Sequence, residues 1–386
     1  MSRLTKISTL SAAVSMALLG MGTALAADGP IKIGVQAPIT GEYAAEGQGI
    51  ENGVRLIAKQ HNDAGGILGR QIEVIVCDDE GKAAQAAICG RKLVNDGVIA
   101  VIGTYTSGAA LAAAPIYSAA NVIQTSDGTS DELTQKGWQT FFRNAPPNSD
   151  EAEFVANYFV KVKKYPRIAV LSDHSSYATG LAKATVDAIK KEGGSIVGED
   201  FINAGTQDYS AVLTKLKSKN PDVLFFSGYY TDGGLIRAQM KQLGMNAVFV
   251  GGDANQNENF AKIAGDAAAG AVIVNVPAPE NLPYPAAKKF LADYTKEFGA
   301  PPPSIYTLTN ADGFRAVIAA IQDTQSTDTG KLIPWLHNLK EPFGGLTGPF
   351  TWDDKGERIG SLMSAFEVQA DGSYKTIYPR QLDPRQ

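Results

Sequence analysis

Residues 31 to 76 read IKIGVQAPITGEYAAEGQGIENGVRLIAKQHNDAGGILGRQIEVIV, and this stretch decides the fold. Ile31-Lys32-Ile33-Gly34-Val35 has the length and apolar content of a strand, and residues 49–62 place Val54, Leu56, Ile57 and Ala58 on the apolar side of an amphipathic helix. Gly65-Gly66 and Gly69 mark a turn, after which Ile72-Glu73-Val74-Ile75-Val76 reads as a second strand. A helical pattern over 83–96 and the run Val98-Ile99-Ala100-Val101-Ile102 extend the series. Strand and helix alternating in this rhythm predict βαβ units, and with them a parallel sheet covered on both faces.

The pattern restarts after Asn144-Ala145-Pro146-Pro147-Asn148, a turn-rich break. Strands are predicted at 167–171, 195–197, 222–227 and 248–251, with helices at 178–192, 209–218 and 233–243 between them. Beyond Val276-Pro277-Ala278-Pro279, helices are expected over 286–298 and 304–324, separated by Pro301-Pro302-Pro303. The tail from Gly348 to Tyr378 is strand-like, with a turn at Asp353-Asp354-Lys355-Gly356. One supersecondary unit is thus written twice. The expected fold class is α/β, with two doubly wound parallel-sheet lobes linked by more than one crossing.

The first 26 residues have a different character. Arg3 and Lys6 precede an uncharged run from Ile7 to Gly20, and Ala24-Leu25-Ala26 precedes Ala27. A basic start, an apolar middle and a small-x-small end are the marks of a secretory signal peptide, and the apolar run is too short for a stable membrane span. The mature chain is therefore expected to begin near Ala27, to work in the periplasm and to carry no lipid, since no Cys lies near the cleavage site. Loss of the leader leaves 33 basic against 40 acidic side chains, a net charge of −7. A mixed, mildly acidic surface argues against nucleic acid as a partner, because phosphate binding needs a concentrated basic face. Cys77 and Cys89 are the two cysteines, and exported thiols this close in sequence are expected to pair as a disulfide.

A search for catalytic chemistry finds little. His61, His174 and His337 are scattered singly, outside any His-Glu-x-x-His or Cys-x-x-Cys pattern that would hold zinc. Neither a Gly-x-Ser-x-Gly elbow nor a phosphate-cradling Gly-x-x-x-x-Gly-Lys loop occurs. Gly47-Gln48-Gly49 with Gly53 resembles a dinucleotide fingerprint, but its third glycine falls one residue late. Those glycines are read instead as a tight turn into the helix. No cofactor, metal or enzymatic activity is implied.

Polar loops remain, at the strand ends where open α/β sheets place their ligands. Thr104-Tyr105-Thr106-Ser107-Gly108 and Ser126-Asp127-Gly128-Thr129-Ser130 each precede a helical pattern, and a hydroxyl with free N–H groups at a helix start suits a carboxylate. In the second lobe, Tyr177, Tyr229 and Asp253 follow predicted strands. An Asp there can hold an ammonium group, and tyrosines can wall a pocket while offering a hydroxyl. A carboxylate receptor facing an ammonium receptor fits a zwitterion such as an α-amino acid.

These residues carry a resemblance over nearly all of the mature length. Ile33-Gly34 to Thr40-Gly41, Asn62-Asp63-Ala64-Gly65-Gly66-Ile67, Val94-Asn95-Asp96-Gly97, Tyr177-Ala178-Thr179-Gly180-Leu181-Ala182, Asp208-Tyr209-Ser210 and Gly348-Pro349-Phe350-Thr351-Trp352-Asp353 occur in the order and spacing of one family. The chain resembles the leucine/isoleucine/valine-type (branched-chain amino acid) periplasmic binding proteins of ABC importers, with the type I binding fold. The resemblance implies a monomer whose two lobes are joined by three hinge crossings, near Pro146, Val276 and Gly348. Residues 27–146 with 277–347 would make one lobe, and 147–276 with 348–386 the other. It implies that Ser107 and Thr129 take the α-carboxylate, that Asp253 stands where an acidic residue takes the α-ammonium, and that Tyr177 and Tyr229 line the cleft. Tyr105, on the loop carrying Ser107, joins this set. A membrane permease would receive the ligand; an exported sensor reporting to a receptor would have the same cleft.

Two positions depart from the family. Asp127 stands where a small residue contributes backbone, and Glu46 where an aromatic commonly touches the ligand side chain. A carboxylate buried against an aliphatic side chain is costly without a partner. Either Glu46 turns to solvent, or the ligand is polar or cationic rather than aliphatic.

Overall fold

The computed structural model describes residues 29–339, 343–360 and 362–382, so the leader lies outside the described residues. The first half runs β1 (Ile31–Ala37), α1 (Ala44–Asp63), β2 (Ile72–Asp78), α2 (Ala83–Asn95), β3 (Ala100–Ile102), α3 (Ser107–Ala119), β4 (Ile123–Ser126), α4 (Glu132–Gln135) and β5 (Phe141–Arg143). Its strands form one parallel sheet in the order β2-β1-β3-β4-β5. β3 and β4 are buried throughout, as strands covered on both faces must be. Cys77 at the end of β2 and Cys89 in α2 are joined by a disulfide.

The second half runs α5 (Asn148–Asn157), β6 (Ile168–Ser172), α6 (Ser176–Lys191), β7 (Ile196–Phe201), α7 (Ser210–Lys217), β8 (Val223–Ser227), α8 (Tyr230–Gln242), β9 (Val248–Gly251), α9 (Glu258–Ala264) and β10 (Val272–Asn275). Three helices follow, α10 (Pro285–Phe298), α11 (Tyr306–Thr324) and α12 (Thr329–His337), and α11 packs back on α1, β3 and β4 of the first half. The chain closes with β11 (Phe343–Gly345), β12 (Gly348–Trp352), β13 (Arg358–Ile359), β14 (Leu362–Val368) and β15 (Tyr374–Leu382). The second sheet has the order β15-β14-β10-β9-β8-β6-β7.

Three features differ from the sequence reading. The second sheet is mixed rather than parallel, because β14 pairs antiparallel with β10 and β15 antiparallel with β14. A hairpin closed by a tight turn can pair in no other sense. β11, β12 and β13 form a third, three-stranded antiparallel sheet, which hydrogen-bonds to the end of β5. Trp352 Nε1 donates to the Arg143 carbonyl at 2.6 Å, and the Arg143 N–H donates to the Gly356 carbonyl at 2.8 Å. Finally, α1 starts at Ala44, so Gly47, Gly49 and Gly53 lie inside it. They make no turn: a Cβ on Gly47 would stand 2.1 Å from the Pro38 carbonyl oxygen, and one on Gly49 2.5 Å from the Thr307 hydroxyl. These glycines let α1 pack directly on the first strand's exit and on α11.

Candidate functional site

The loops after β3 and β4 are held to each other. Thr106, not Ser107, caps α3 by accepting from the Ala109 N–H at 3.2 Å. The Ser107 hydroxyl is thereby released from capping, and it accepts from the Ser130 N–H at 3.2 Å. Beneath the second loop lies Arg143, fully buried at the end of β5. Its guanidinium donates to the carbonyls of Gly128 and Ser130, on either side of Thr129. Its charge is matched by Glu357, with Nε 2.7 Å from the carboxylate. A buried guanidinium with satisfied donors makes a rigid floor under a loop that carries function.

From the second half, Asp253 follows β9. The hydroxyl of Tyr177, at the start of α6, donates to Oδ1 at 2.5 Å. The hydroxyl of Tyr306, at the start of α11, donates to Oδ2 at 2.8 Å. Behind it, Glu151 accepts the Asp253 N–H at 3.1 Å. Burial and the neighbouring Asp253 charge push the Glu151 carboxyl well above the usual range, so Glu151 keeps its proton. Tyr229 completes the wall, its ring 4.5 Å from that of Tyr43, 5.2 Å from Tyr177 and 5.8 Å from Tyr105. Burial raises the phenols of Tyr105, Tyr177, Tyr229 and Tyr306, which keep their protons as donors.

Tyr105, Ser107, Asp127, Thr129, Tyr177, Tyr229 and Asp253 all line one narrow cavity between the two sheets, together with Ala254 and Tyr306. It sits at the C-terminal ends of β3, β4, β8 and β9, where an open α/β sheet presents its ligand site. A wider depression lined by Tyr165, Lys217 and Met245 lies at the opposite ends of the second sheet's strands.

Glu46 is absent from this lining. It faces neither solvent nor the cavity. Its carboxylate accepts from Asn257 Nδ2 at 2.6 Å and from the Ser304 hydroxyl at 2.5 Å, tying α1 to the loop after β9. Burial pushes it up to about 7, against the lowering effect of those two bonds. Asp127 does face the cavity. Asn310 donates to its Oδ2, while Oδ1 has no hydrogen-bond partner. Burial holds its carboxyl well above the usual range, with Thr309, Arg358 and Asn310 partly opposing and Glu46 adding to the rise.

Sequence reasoning missed Arg143, Glu151, Tyr306 and the Asn257–Ser304 pair. Each lies far along the chain from its partner, and only Arg143 carried a sequence signal, a lone cation closing an apolar strand. Among the described residues, no cluster of His, Cys, Asp and Glu is arranged to hold a metal, and no helix is long and apolar enough to cross a membrane.

The chain is 32% identical to Leu/Ile/Val-binding protein homolog 3 of Brucella melitensis, over 93% of this chain and 96% of that one. It is 30% identical to the Leu/Ile/Val-binding protein of Escherichia coli, over 94% of this chain and 96% of that one. Among solved structures, a branched-chain amino acid transporter substrate binding protein from Streptococcus pneumoniae, in complex with isoleucine, superposes with a TM-score of 0.83 at 29% identity. That match covers 91% of this chain and all of the other. The family model for periplasmic binding proteins matches residues 30–373, nearly the whole of the described chain. With two α/β lobes, a cavity at facing strand ends and relatives along its full length, this chain belongs to the periplasmic binding protein family.

Proposed function

We propose that this chain is the extracytoplasmic receptor of an ABC importer, which captures an amino acid between its lobes and delivers it to a membrane permease. One observation carries the reading: Asp253, gripped by tyrosine hydroxyls from both halves, faces the Ser107 and Thr129 loops across a single cavity. An α-ammonium meets Asp253, and an α-carboxylate meets the Ser107 and Thr129 hydroxyls at the start of α3. Charge-assisted hydrogen bonds of this kind contribute about 1.5–3 kcal/mol each in a dry cleft. Periplasmic binding proteins close by hinge motion, and three backbone crossings give this chain the means. Ligand docks on the first lobe, and closure brings Tyr177, Tyr229 and Asp253 onto it. The closed form presents both lobes to the permease. No covalent step is needed, and the ligand leaves unaltered.

Calorimetric titration of the processed protein against the common L-amino acids tests this directly. Saturable one-to-one binding, with the ligand recovered unchanged, is the expected result. No heat from any of them removes the reading. Mass spectrometry of the exported protein should find Ala27 as its first residue.

A further inference from the structure

Two buried polar atoms on the cavity wall have no hydrogen-bond partner: Asp127 Oδ1 and the Tyr105 hydroxyl. Both residues are at least nine-tenths buried, at 2% and 5% exposure. Leaving such groups unpaired is costly, and native structures retain them where something else completes the bond. Their neighbours are already committed. Asn310 serves the other oxygen of Asp127, and Tyr177 and Tyr306 serve Asp253. The Tyr105 ring packs edge-on against Tyr306, 5.3 Å between centroids, which fixes where its hydroxyl sits.

Nothing aliphatic lines this cavity apart from the small Ala254. Four tyrosines, two aspartates and two hydroxyl side chains make up the rest. An aliphatic ligand side chain would cover Asp127 and Tyr105 without satisfying either.

We propose that Asp127 and Tyr105 form a polar subsite, and that the ligand of this chain is an amino acid with a short hydrogen-bonding side chain, a hydroxyl or carboxamide, rather than a branched aliphatic one. The inference rests on the amino-acid reading above. A site built to hydrogen-bond a substrate group discriminates strongly against the analogue that lacks it, because its own polar atoms are then left bare. An aliphatic pocket, by contrast, cannot strongly reject an isostere that adds a hydroxyl.

Near-isosteric pairs isolate this effect from size. The ligand-free processed protein is titrated calorimetrically with L-threonine and L-valine, and with L-asparagine and L-leucine. In at least one pair the polar member should bind about ten- to a hundredfold more tightly. Asp127→Ala should reduce that ratio at least tenfold while the thermal midpoint holds or rises. Tyr105→Phe, which keeps the ring, provides the same readout should the first variant fold poorly. Valine and leucine binding as tightly as threonine and asparagine, or a preference for the polar members that survives both variants, overturns the subsite while leaving the amino-acid reading intact. Binding of no amino acid at all overturns the parent reading instead.

Discussion

Glu46→Gln is the most informative single change outside the cavity. Glu46 sits on α1, while its partner Asn257 follows β9, so the contact spans the two halves and is lost when they part. Burial raises the carboxyl from 4.5 to about 7 in the closed form. The opened form, where water reaches the group, returns it toward its ordinary value. A raised acid favours its protonated form, so closure takes up a proton between those two values. Closure is therefore easiest at low pH and is progressively penalised as pH rises from about 4.5 through 7. The full shift corresponds to about 3 kcal/mol, and linkage between the two values makes the penalty on ligand affinity grow about 70-fold from pH 5 to pH 8. That figure is a ceiling, reached only if opening hydrates Glu46 completely. The substituted glutamine keeps the shape and has nothing to titrate, and Ser304 can reverse its hydroxyl to accept from the new amide. Affinity for the bound amino acid is measured by calorimetry at both pH values for the two proteins. The ratio of Glu46→Gln affinity to native affinity should rise steeply with pH, approaching that ceiling. The raised carboxyl of Glu151, to which Glu46 does not contribute, acts on both proteins and cancels in the ratio. A ratio unchanged within twofold between pH 5 and pH 8 would refute the closed-form burial of a titrating Glu46.

Asp253→Asn removes the charge opposite the proposed ammonium position; its oxygen keeps one tyrosine donor while the other tyrosine hydroxyl turns to accept from the new amide, so affinity should fall at least tenfold while the ligand-free thermal midpoint holds or rises. Arg143→Met strands Glu357 without its partner and strips the donor from the Gly128 and Ser130 carbonyls. A loss of about 3–5 kcal/mol is expected in urea unfolding, and a native-like midpoint would contradict the assigned role. Reducing the Cys77–Cys89 bond, whose partners are 12 residues apart, should cost about 3 kcal/mol by loop entropy. Ligand affinity should change less than twofold, since neither cysteine borders the cavity.

What could be read from the sequence was whatever the chain states locally. β1, β2, β6, β8 and β9 are apolar runs bounded by turn residues, and period and length identify them. β4 and β5 escaped notice because they are four and three residues long and carry Gln124, Thr125 and Arg143. Those polar side chains are buried by contacts far off in sequence, with Arg143 meeting Glu357 across 214 residues. The glycines of α1 misled for a related reason. A tight turn and a close helix–helix approach both select glycine, and only the position of α11 decides between them. Seven of the site residues could be proposed because each follows a strand end, which is a local property. Tyr306 opens a helix and comes to Asp253 only through the crossing after β10, so nothing near it in sequence marks it.

The charge balance of the cavity explains why a buried carboxylate pair is tolerable there. Asp253 and Glu151 lie against each other, and two negative charges at that separation inside protein would repel severely. Burial raises both carboxyls, and the Asp253 charge adds to the rise at Glu151, which favours a single charge on the pair, held by Asp253. Tyr177 and Tyr306 spread that charge over two hydroxyl donors. In the proposed complex an α-ammonium would bring one positive charge to meet that one negative charge. The ligand carboxylate needs no cationic side chain, because hydroxyls and the amino end of α3 supply donors and a favourable dipole. Because Tyr177 lies on one side of the cleft and Tyr306 on the other, Asp253 is fully compensated only when the halves are together. Ligand and closure are therefore linked through one residue, and a second Asp, Asp127, remains to be satisfied by whatever side chain the ligand carries.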